Sequence, residues 1–245
     1  MSQRIIAMWS GPRNISTALM RSWASRADTR VIDEPFYAHY LQQTGYNHPG
    51  AQEIIDHYET DWRQVVDLLL ANGTGEAIFY QKHMTQHMLE HIDRTWLLKI
   101  SNCFLIRDPV RMLKSFAKVI PSPQLDQTGL PQQLELFNTV RQASGTVPPV
   151  IRARDVLLNP EASLRHLCRV LDVPYDPAML SWKAGAHSSD GIWAKHWYGS
   201  VERSTGFAPY REDDTPLPKH LRGLLAECQA LYDQMARYCA FEAAR

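Results

Sequence analysis

The stretch that decides the fold lies close to the amino terminus and reads IIAMWSGPRNISTAL, residues 5–19. Its apolar part is long enough for a buried strand, which breaks at Ser10-Gly11-Pro12. A helix is predicted directly afterwards, with Arg13, Ser16 and Thr17 around its first turn. Such a strand–turn–helix unit binds phosphate, because free backbone N–H groups and the helix dipole point towards an anion. We therefore predict an anion site at this turn.

The turn departs from the common nucleotide-triphosphate loop, GxxxxGK[ST]. Gly11 is followed five residues later by Ser16-Thr17, without the second glycine or the lysine. The pattern favours phosphate binding of a kind that differs from ordinary ATPases and GTPases. A turn that serves packing alone is the other interpretation, since Gly11-Pro12 is a common turn and Asn14 is a good helix N-cap.

Composition narrows the class of protein. The 245 residues are 44% hydrophobic, and 26 Lys and Arg balance 26 Asp and Glu, so no net basic field attracts nucleic acid. The four cysteines form no CxxC and no zinc-like spacing with histidine, which favours reduced thiols and no metal site. No apolar run approaches the roughly 18 residues of a membrane span, and no signal-peptide pattern precedes the first strand. We expect a soluble cytoplasmic protein without a membrane partner.

Short apolar runs alternate with helical patterns along the whole chain. Strands are predicted near residues 4–9, 29–33, 77–81, 102–107 and 149–152. Helices are predicted near residues 15–26, 35–44, 52–72, 84–94, 109–119, 130–143, 160–171 and 218–240, with a loop at 121–130. This alternation is typical of a parallel sheet covered on both faces. We expect a three-layer α/β fold of P-loop-like topology, as one domain over 1–245 with helical insertions near 35–72 and 120–145.

A second candidate site follows the fourth predicted strand, in the segment FLIRDP at residues 104–109. Arg107 ends the strand, Asp108 can cap the next helix, and Pro109 suits its first position. Ser115 lies two turns into that helix. Ligands of open α/β sheets bind at the carboxyl ends of the strands, so Arg107 and Ser115 could clamp a second phosphate. A surface arginine paired with Asp108 is the alternative.

Together these segments resemble the P-loop-like sulfotransferases, which use 3′-phosphoadenosine 5′-phosphosulfate (PAPS) as sulfuryl donor. The resemblance rests on PRNIST at residues 12–17, on Arg107-Asp108-Pro109, and on Ser115 eight residues after the arginine. The segment RARDVLLNPE at 152–161 is similar to the YEDL-x-x-x-P-E segment of that family. The three motifs occur in the family's order and span residues 4 to about 173.

The resemblance implies sulfuryl transfer from PAPS to a hydroxyl or amine, without a metal. It implies that the first motif holds the 5′-phosphosulfate, through Arg13, Asn14, Ser16 and Thr17, and that Arg107 and Ser115 hold the 3′-phosphate. Many members carry lysine where this chain has Arg13, and glycine where it has Ile15. A β-branched residue resists the left-handed backbone that glycine adopts, so the loop is expected to differ in shape.

Sulfuryl transfer to an alcohol needs a base and a positive charge near the leaving phosphate. Glu34, directly after the second predicted strand, lies in DEPFY, which resembles the Glu-Pro-x-Phe segment of the glycan-modifying branch, where the glutamate is the base. His83 is the rival base, and its neighbour Lys82 could contact sulfate or acceptor. His83 with His87 lacks a third metal ligand. Glu34 could also be only a helix-capping acid.

The acceptor and the oligomeric state stay open at this stage. The aromatic loop at 188–207 is expected to form a lid, an acceptor wall or only a packed loop. We expect a small-molecule or glycan-like acceptor and no nucleic acid. Two other functions remain open: a P-loop kinase or nucleotide hydrolase, and a non-catalytic nucleotide-binding module of the same fold.

Overall fold

Five parallel strands form the centre of the fold in the computed structural model, which describes residues 3–71 and 75–241. They are β1 (Arg4–Ser10), β2 (Thr29–Asp33), β3 (Ile78–Met84), β4 (Ser101–Ile106) and β5 (Val150–Arg152). Their order across the sheet is β2-β3-β1-β4-β5, and every neighbouring pair is parallel. All five predicted strands are confirmed.

Helices cover both faces of the sheet. They are α1 (Ser16–Ala24), α2 (Tyr37–Thr44), α3 (Ala51–His57), α4 (Trp62–Leu70), α5 (Pro109–Phe116), α6 (Leu130–Ser144), α7 (Ala153–Leu158), α8 (Pro160–Val170), α9 (Ala194–Trp197) and α10 (Arg222–Ala236). Alternate side chains of β1 enter two separate cores: Ile6 and Met8 pack with α1 and α8, whereas Ala7 and Trp9 pack with α4 and α6. This is the predicted three-layer α/β fold of P-loop-like topology.

The helix between 84 and 94 is a wrong prediction. Strand β3 continues to Met84, and a single 3-10 turn, Thr85–His87, follows it. Every side chain from Ile78 to Met84 is buried, and Gln81, Lys82 and His83 each find a hydrogen-bond partner inside the fold; the amide of Gln81, for example, donates to the carbonyl of Leu69 at 2.8 Å. Lys82 and His83 are therefore part of the strand and do not follow it.

The predicted helix 52–72 is two helices, with residue 72 outside the described part. The backbone is extended at Tyr58, and the carboxylate of Asp61 then caps α4 by accepting the N–H of Arg63 at 2.9 Å. The short helices α7 and α9 were not predicted. The start of α8 is confirmed, because the side-chain oxygen of Asn159 accepts the N–H of Ala162 and Pro160 holds the first helical position.

The turn after β1 is held close to a second loop. A Cβ placed on Gly11 would lie 2.6 Å from the carbonyl oxygen of Thr128, in the 3-10 turn Asp126–Thr128 within the predicted 121–130 loop. Only glycine fits this approach without a shift of backbone. Among the described helices, none is long and apolar enough to cross a membrane.

We predict that Gly11→Ala lowers the free energy of unfolding by about 1–3 kcal/mol, because the new methyl group overlaps the Thr128 carbonyl. The matched control is Gly223→Ala in α10, where a Cβ meets no atom within 4 Å and alanine favours the helix. Urea unfolding of both variants measures the difference. Equal stability of the two would contradict the close approach.

Candidate active site

The turn that begins the first motif has an unusual backbone. Arg13 and Ile15 have φ of +59° and +58°, the left-handed region that β-branched residues avoid, at a cost of about 1–3 kcal/mol per residue. Ile15 thus adopts the left-handed backbone that a glycine would adopt here. The expectation that the isoleucine gives the loop a different shape is wrong at this position. Asn14 does not cap α1; its side-chain amide donates to the carbonyl of Leu105 at 2.6 Å.

Two arginines and a serine meet beside this turn. The Nε of Arg13 donates to the hydroxyl of Ser115 at 3.1 Å, and the guanidinium of Arg107 donates to the carbonyl of Arg13. Burial lowers the pKa of Arg13, and it lowers that of Arg107 to about 10 together with the charges of Arg111 and Arg13. Neither guanidinium of the pair forms a salt bridge with a carboxylate in the described part of the chain. Such a pair favours an anionic ligand.

A cavity of about 400 Å³ opens over this group at the carboxyl edge of the sheet. The residues predicted from the two motifs all line it, and we name them the basic end: Arg13, Asn14, Ser16, Thr17, Arg107 and Ser115. Glu34 and Lys82 line it as well. So does a second group, which we name the aromatic end: Tyr37, Tyr40, His48, His87 and Trp197. Of these, His87 was considered from the sequence only as a metal ligand, and Trp197 lies in the aromatic loop at 188–207 that was expected to form a lid or acceptor wall.

Glu34 lies between the two ends in a network of buried charges. The ammonium of Lys82 donates to Glu34 at 2.5 Å, to Asp33 at 2.8 Å and to the hydroxyl of Tyr198 at 2.7 Å. That hydroxyl donates to the second oxygen of Asp33 at 2.7 Å and accepts the indole N–H of Trp193 at 3.1 Å. All three ammonium protons of Lys82 are therefore used, which leaves none for a sulfate or an acceptor.

The network sets the proton affinity of Glu34. Burial raises the pKa of its carboxyl above the ordinary value of 4.5, against the lowering effect of the Lys82 charge. Burial alone would lower the pKa of Lys82, but the carboxylates of Asp33 and Glu34 raise it, so its charge is retained. Glu34 also has φ of +40°, a strained backbone of the kind found at functional sites. A carboxyl with a raised pKa beside a cavity can act as a general base.

His83 does not line the cavity. Successive side chains of a strand point to opposite faces, so Lys82 and Met84 face the cavity while His83 stacks on Trp9, with ring centroids 4.2 Å apart. Burial, followed by the charge of Lys82, lowers its pKa to about 3, and its Nε2 pairs with Gln81 at 3.1 Å. The structure thus brings Glu34, and not His83, to the predicted donor-binding residues.

The aromatic loop at 188–207 forms part of the cavity wall. A buried salt bridge of 2.6 Å joins Arg21 to Asp190, and the N–H of Gly191 donates to Asp33 at 3.2 Å. Trp197 touches the basic end through its carbonyl, which accepts from Arg13 at 3.5 Å. Sequence patterns could not indicate the role of Tyr198, because its partners at 33, 34 and 82 are distant along the chain. Within the described residues, no group of three or more potential ligands is placed to hold a metal ion, and independence from metal stays a prediction.

Comparisons with known proteins identify the class. The family model described as Sulfotransferase domain matches residues 3–239, so the chain belongs to that family. Similar solved structures include the sulfotransferase from Alicyclobacillus acidocaldarius, with a TM-score of 0.59, 11% identity and 97% of each chain covered. Another is the sulfotransferase domain of the Synechococcus PCC 7002 olefin synthase, with a TM-score of 0.54, 16% identity, and 94% and 96% covered. At these identities the likeness shows the fold alone.

Two curated proteins of Arabidopsis thaliana are similar in sequence. They are the branched-chain-amino-acid aminotransferase-like proteins 1 and 2, at 36% and 34% identity over 229 residues. The match takes in 94% of this chain but only 41% of each relative, so the printed names describe much longer proteins.

We predict that Lys82 stabilises the fold at the carboxyl edge of the sheet, because its ammonium joins Asp33, Glu34 and Tyr198. Lys82→Met leaves two buried carboxylates without their cation, and we expect a loss of about 3–5 kcal/mol in the free energy of unfolding. Lys195→Met is the control, since Lys195 pairs with Glu53 on the surface, where side-chain exposures are 53% and 55%, and its loss should lower the free energy of unfolding far less. Chemical denaturation compares them; a cost for Lys82→Met as small as the control would refute this role.

Proposed function

We propose that the chain transfers a sulfuryl group from PAPS to a hydroxyl or amine of a small acceptor. One observation carries the proposal: two half-buried guanidiniums without carboxylate partners share a cavity with a carboxylate that is 11% exposed and whose pKa is raised. The basic end suits a doubly phosphorylated nucleotide, and the carboxylate suits a base. The family of the chain and the fold of its neighbours support the same reaction class.

The residues of the basic end fit the two anionic groups of the donor. Arg13 lies in the loop that opens α1, with Ser16 and Thr17 at the mouth of that helix, and these residues would hold the 5′-phosphosulfate. Arg107 and Ser115 lie on the neighbouring strand end and helix and would hold the 3′-phosphate. Each guanidinium can span two oxygens, which favours phosphate over a single negative atom.

The bound donor would supply a sulfuryl group that passes to the acceptor oxygen or nitrogen while its bond to the 5′-phosphate breaks. Glu34 would take the proton that the acceptor loses. Arg13 would neutralise the charge that grows on the leaving phosphate, an effect stronger in a water-poor cavity than in water. Lys82 and Tyr198 would orient the carboxylate through the bonds described above. We place this reaction in the cytoplasm, which the free, buried thiols of Cys103, Cys168 and Cys228 suit.

The kinase alternative receives less support. Its loop would need a lysine near the phosphates, and the cation in this loop is Arg13. Its magnesium ion would need a free carboxylate at a strand end, and Asp33 is fully engaged by Lys82, Tyr198 and Gly191. A non-catalytic binding module would keep the basic end but would not need the raised pKa of Glu34.

The reaction is tested by Glu34→Gln, which keeps the size of the side chain but cannot take a proton. With PAPS and a panel of alcohols and amines, we expect formation of 3′-phosphoadenosine 5′-phosphate to fall about 10²–10⁴-fold at unchanged donor affinity. Because a base must be ionised, the wild-type rate should rise with pH through a limb above 4.5, and the variant should lose that limb.

His83→Gln is the comparison variant, because it changes the rival base outside the cavity. We expect it to keep the pH limb, whatever its rate. If the limb survives in Glu34→Gln and disappears in His83→Gln, the assignment of the base is wrong. A wild-type protein that binds the bisphosphate product but turns over none of the panel would favour the binding module instead.

A further inference from the structure

We infer that the acceptor is a small, ring-bearing alcohol without formal charge, held at the aromatic end of the cavity. This inference rests on the proposed function and narrows its substrate class. The resemblance of the Glu34 segment to the glycan-modifying branch leaves a glycan-like acceptor open. The side chains around the acceptor side of Glu34 favour a different molecule.

The aromatic end is a set of closely packed flat rings that line the same cavity as Glu34. The rings of Tyr37 and His87 are nearly parallel, with centroids 4.7 Å apart, and the centroid of the Tyr40 ring also lies 4.7 Å from that of His87. The centroid of the His48 ring lies 5.9–6.0 Å from the centroids of the Tyr37, Tyr40 and Trp197 rings. Walls of this kind bind flat apolar bodies through their faces and edges.

This end touches both groups that the reaction needs. The main-chain N–H of Tyr37 donates to the main-chain carbonyl of Glu34 at 3.0 Å, so Tyr37 lies one turn along the chain from the proposed base, Glu34. On the other side, the carbonyl of Trp197 accepts from Arg13 at 3.5 Å. Because the rings, Glu34 and Arg13 line one cavity, a molecule seated against the rings can present its hydroxyl to Glu34 and to the donor end.

The charges around the cavity exclude an anionic acceptor. Four of its described lining residues carry a formal charge: Arg13, Glu34, Lys82 and Arg107. The arginines belong to the basic end, and every proton of the Lys82 ammonium is taken by Asp33, Glu34 and Tyr198. A carboxylate or sulfate on the acceptor would lose its water without gaining a cation, which is strongly unfavourable.

The two histidines add polarity without charge. Burial lowers the pKa of His48, and it lowers that of His87 well below the ordinary value, so both rings are neutral near pH 7. The Nε2 of His48 and the Nδ1 of His87 are buried and have no partner among the described residues. These two nitrogens are closed off from solvent, so the rings add polarity to the wall without supplying a cation. The wall thus fits an uncharged ring-bearing alcohol.

Equilibrium binding in the presence of saturating 3′-phosphoadenosine 5′-phosphate tests this class without turnover. The probes are 2-naphthol and 6-hydroxy-2-naphthoate, which share a ring system and differ by one carboxylate. By calorimetry at pH 7.5, we expect the neutral probe to bind at least tenfold more tightly. His48→Arg should then improve binding of the carboxylate at least tenfold, because it supplies the missing cation.

His57→Arg is the matched control, since it adds the same charge at an exposed position of α3 that does not line the cavity. It should leave both affinities unchanged. The inference is overturned if the wild type prefers the carboxylate, binds the two probes equally, or binds neither while the nucleotide is bound. The wild-type comparison decides even if His48→Arg fails to fold. Failure of the nucleotide itself to bind would instead refute the proposed donor site.

Discussion

The candidate site depends on one buried ammonium group. The Lys82 side chain is 1% exposed, and it joins the carboxylates at the end of β2 to the hydroxyl of Tyr198 in the aromatic loop. Taking these charges out of water is expensive, and the arrangement persists because each ammonium proton has an acceptor and each carboxylate oxygen of Asp33 has a donor. The bonds fix the edge of the sheet, the position of Glu34 and the loop that closes the cavity.

The cavity separates two kinds of charge. At the basic end, Arg13 and Arg107 are brought together and left without carboxylates, which is unfavourable until an anion binds. Around Glu34 the charges are already balanced within the protein. The aromatic end carries no formal charge at all among its described members. An anionic donor and an uncharged acceptor would therefore be drawn to different parts of one cavity, with the base between them.

Local sequence patterns predicted the basic end well and the rest of the site poorly. Arg13 and Arg107 follow buried strands, and parallel strands bring their carboxyl ends to one edge, so their proximity follows from the topology. Lys82 and His83 were misplaced after the third predicted strand, because two consecutive polar residues do not resemble a buried strand. Lys82 is buried against Asp33 and Tyr198, and His83 against Trp9, and only the tertiary structure brings these distant partners together. Tyr37 and Tyr40 of α2 could not be predicted as cavity residues, because the side chains around them also come from distant parts of the chain.

Binding of 3′-phosphoadenosine 5′-phosphate tests the central claim that the basic end holds a doubly phosphorylated nucleotide. Calorimetry should compare it with adenosine 5′-phosphate on the wild type, on Arg107→Ala and on Lys114→Ala, a control on α5 whose ammonium pairs with Asp213 outside the cavity. Loss of a charged contact costs about 1.5–3 kcal/mol, so Arg107→Ala should weaken the bisphosphate about ten- to hundredfold. Binding of the monophosphate to that variant, and of both nucleotides to the control, should be unchanged. Equal loss of both nucleotides in Arg107→Ala, or a wild type that binds the monophosphate as tightly as the bisphosphate, would contradict the account.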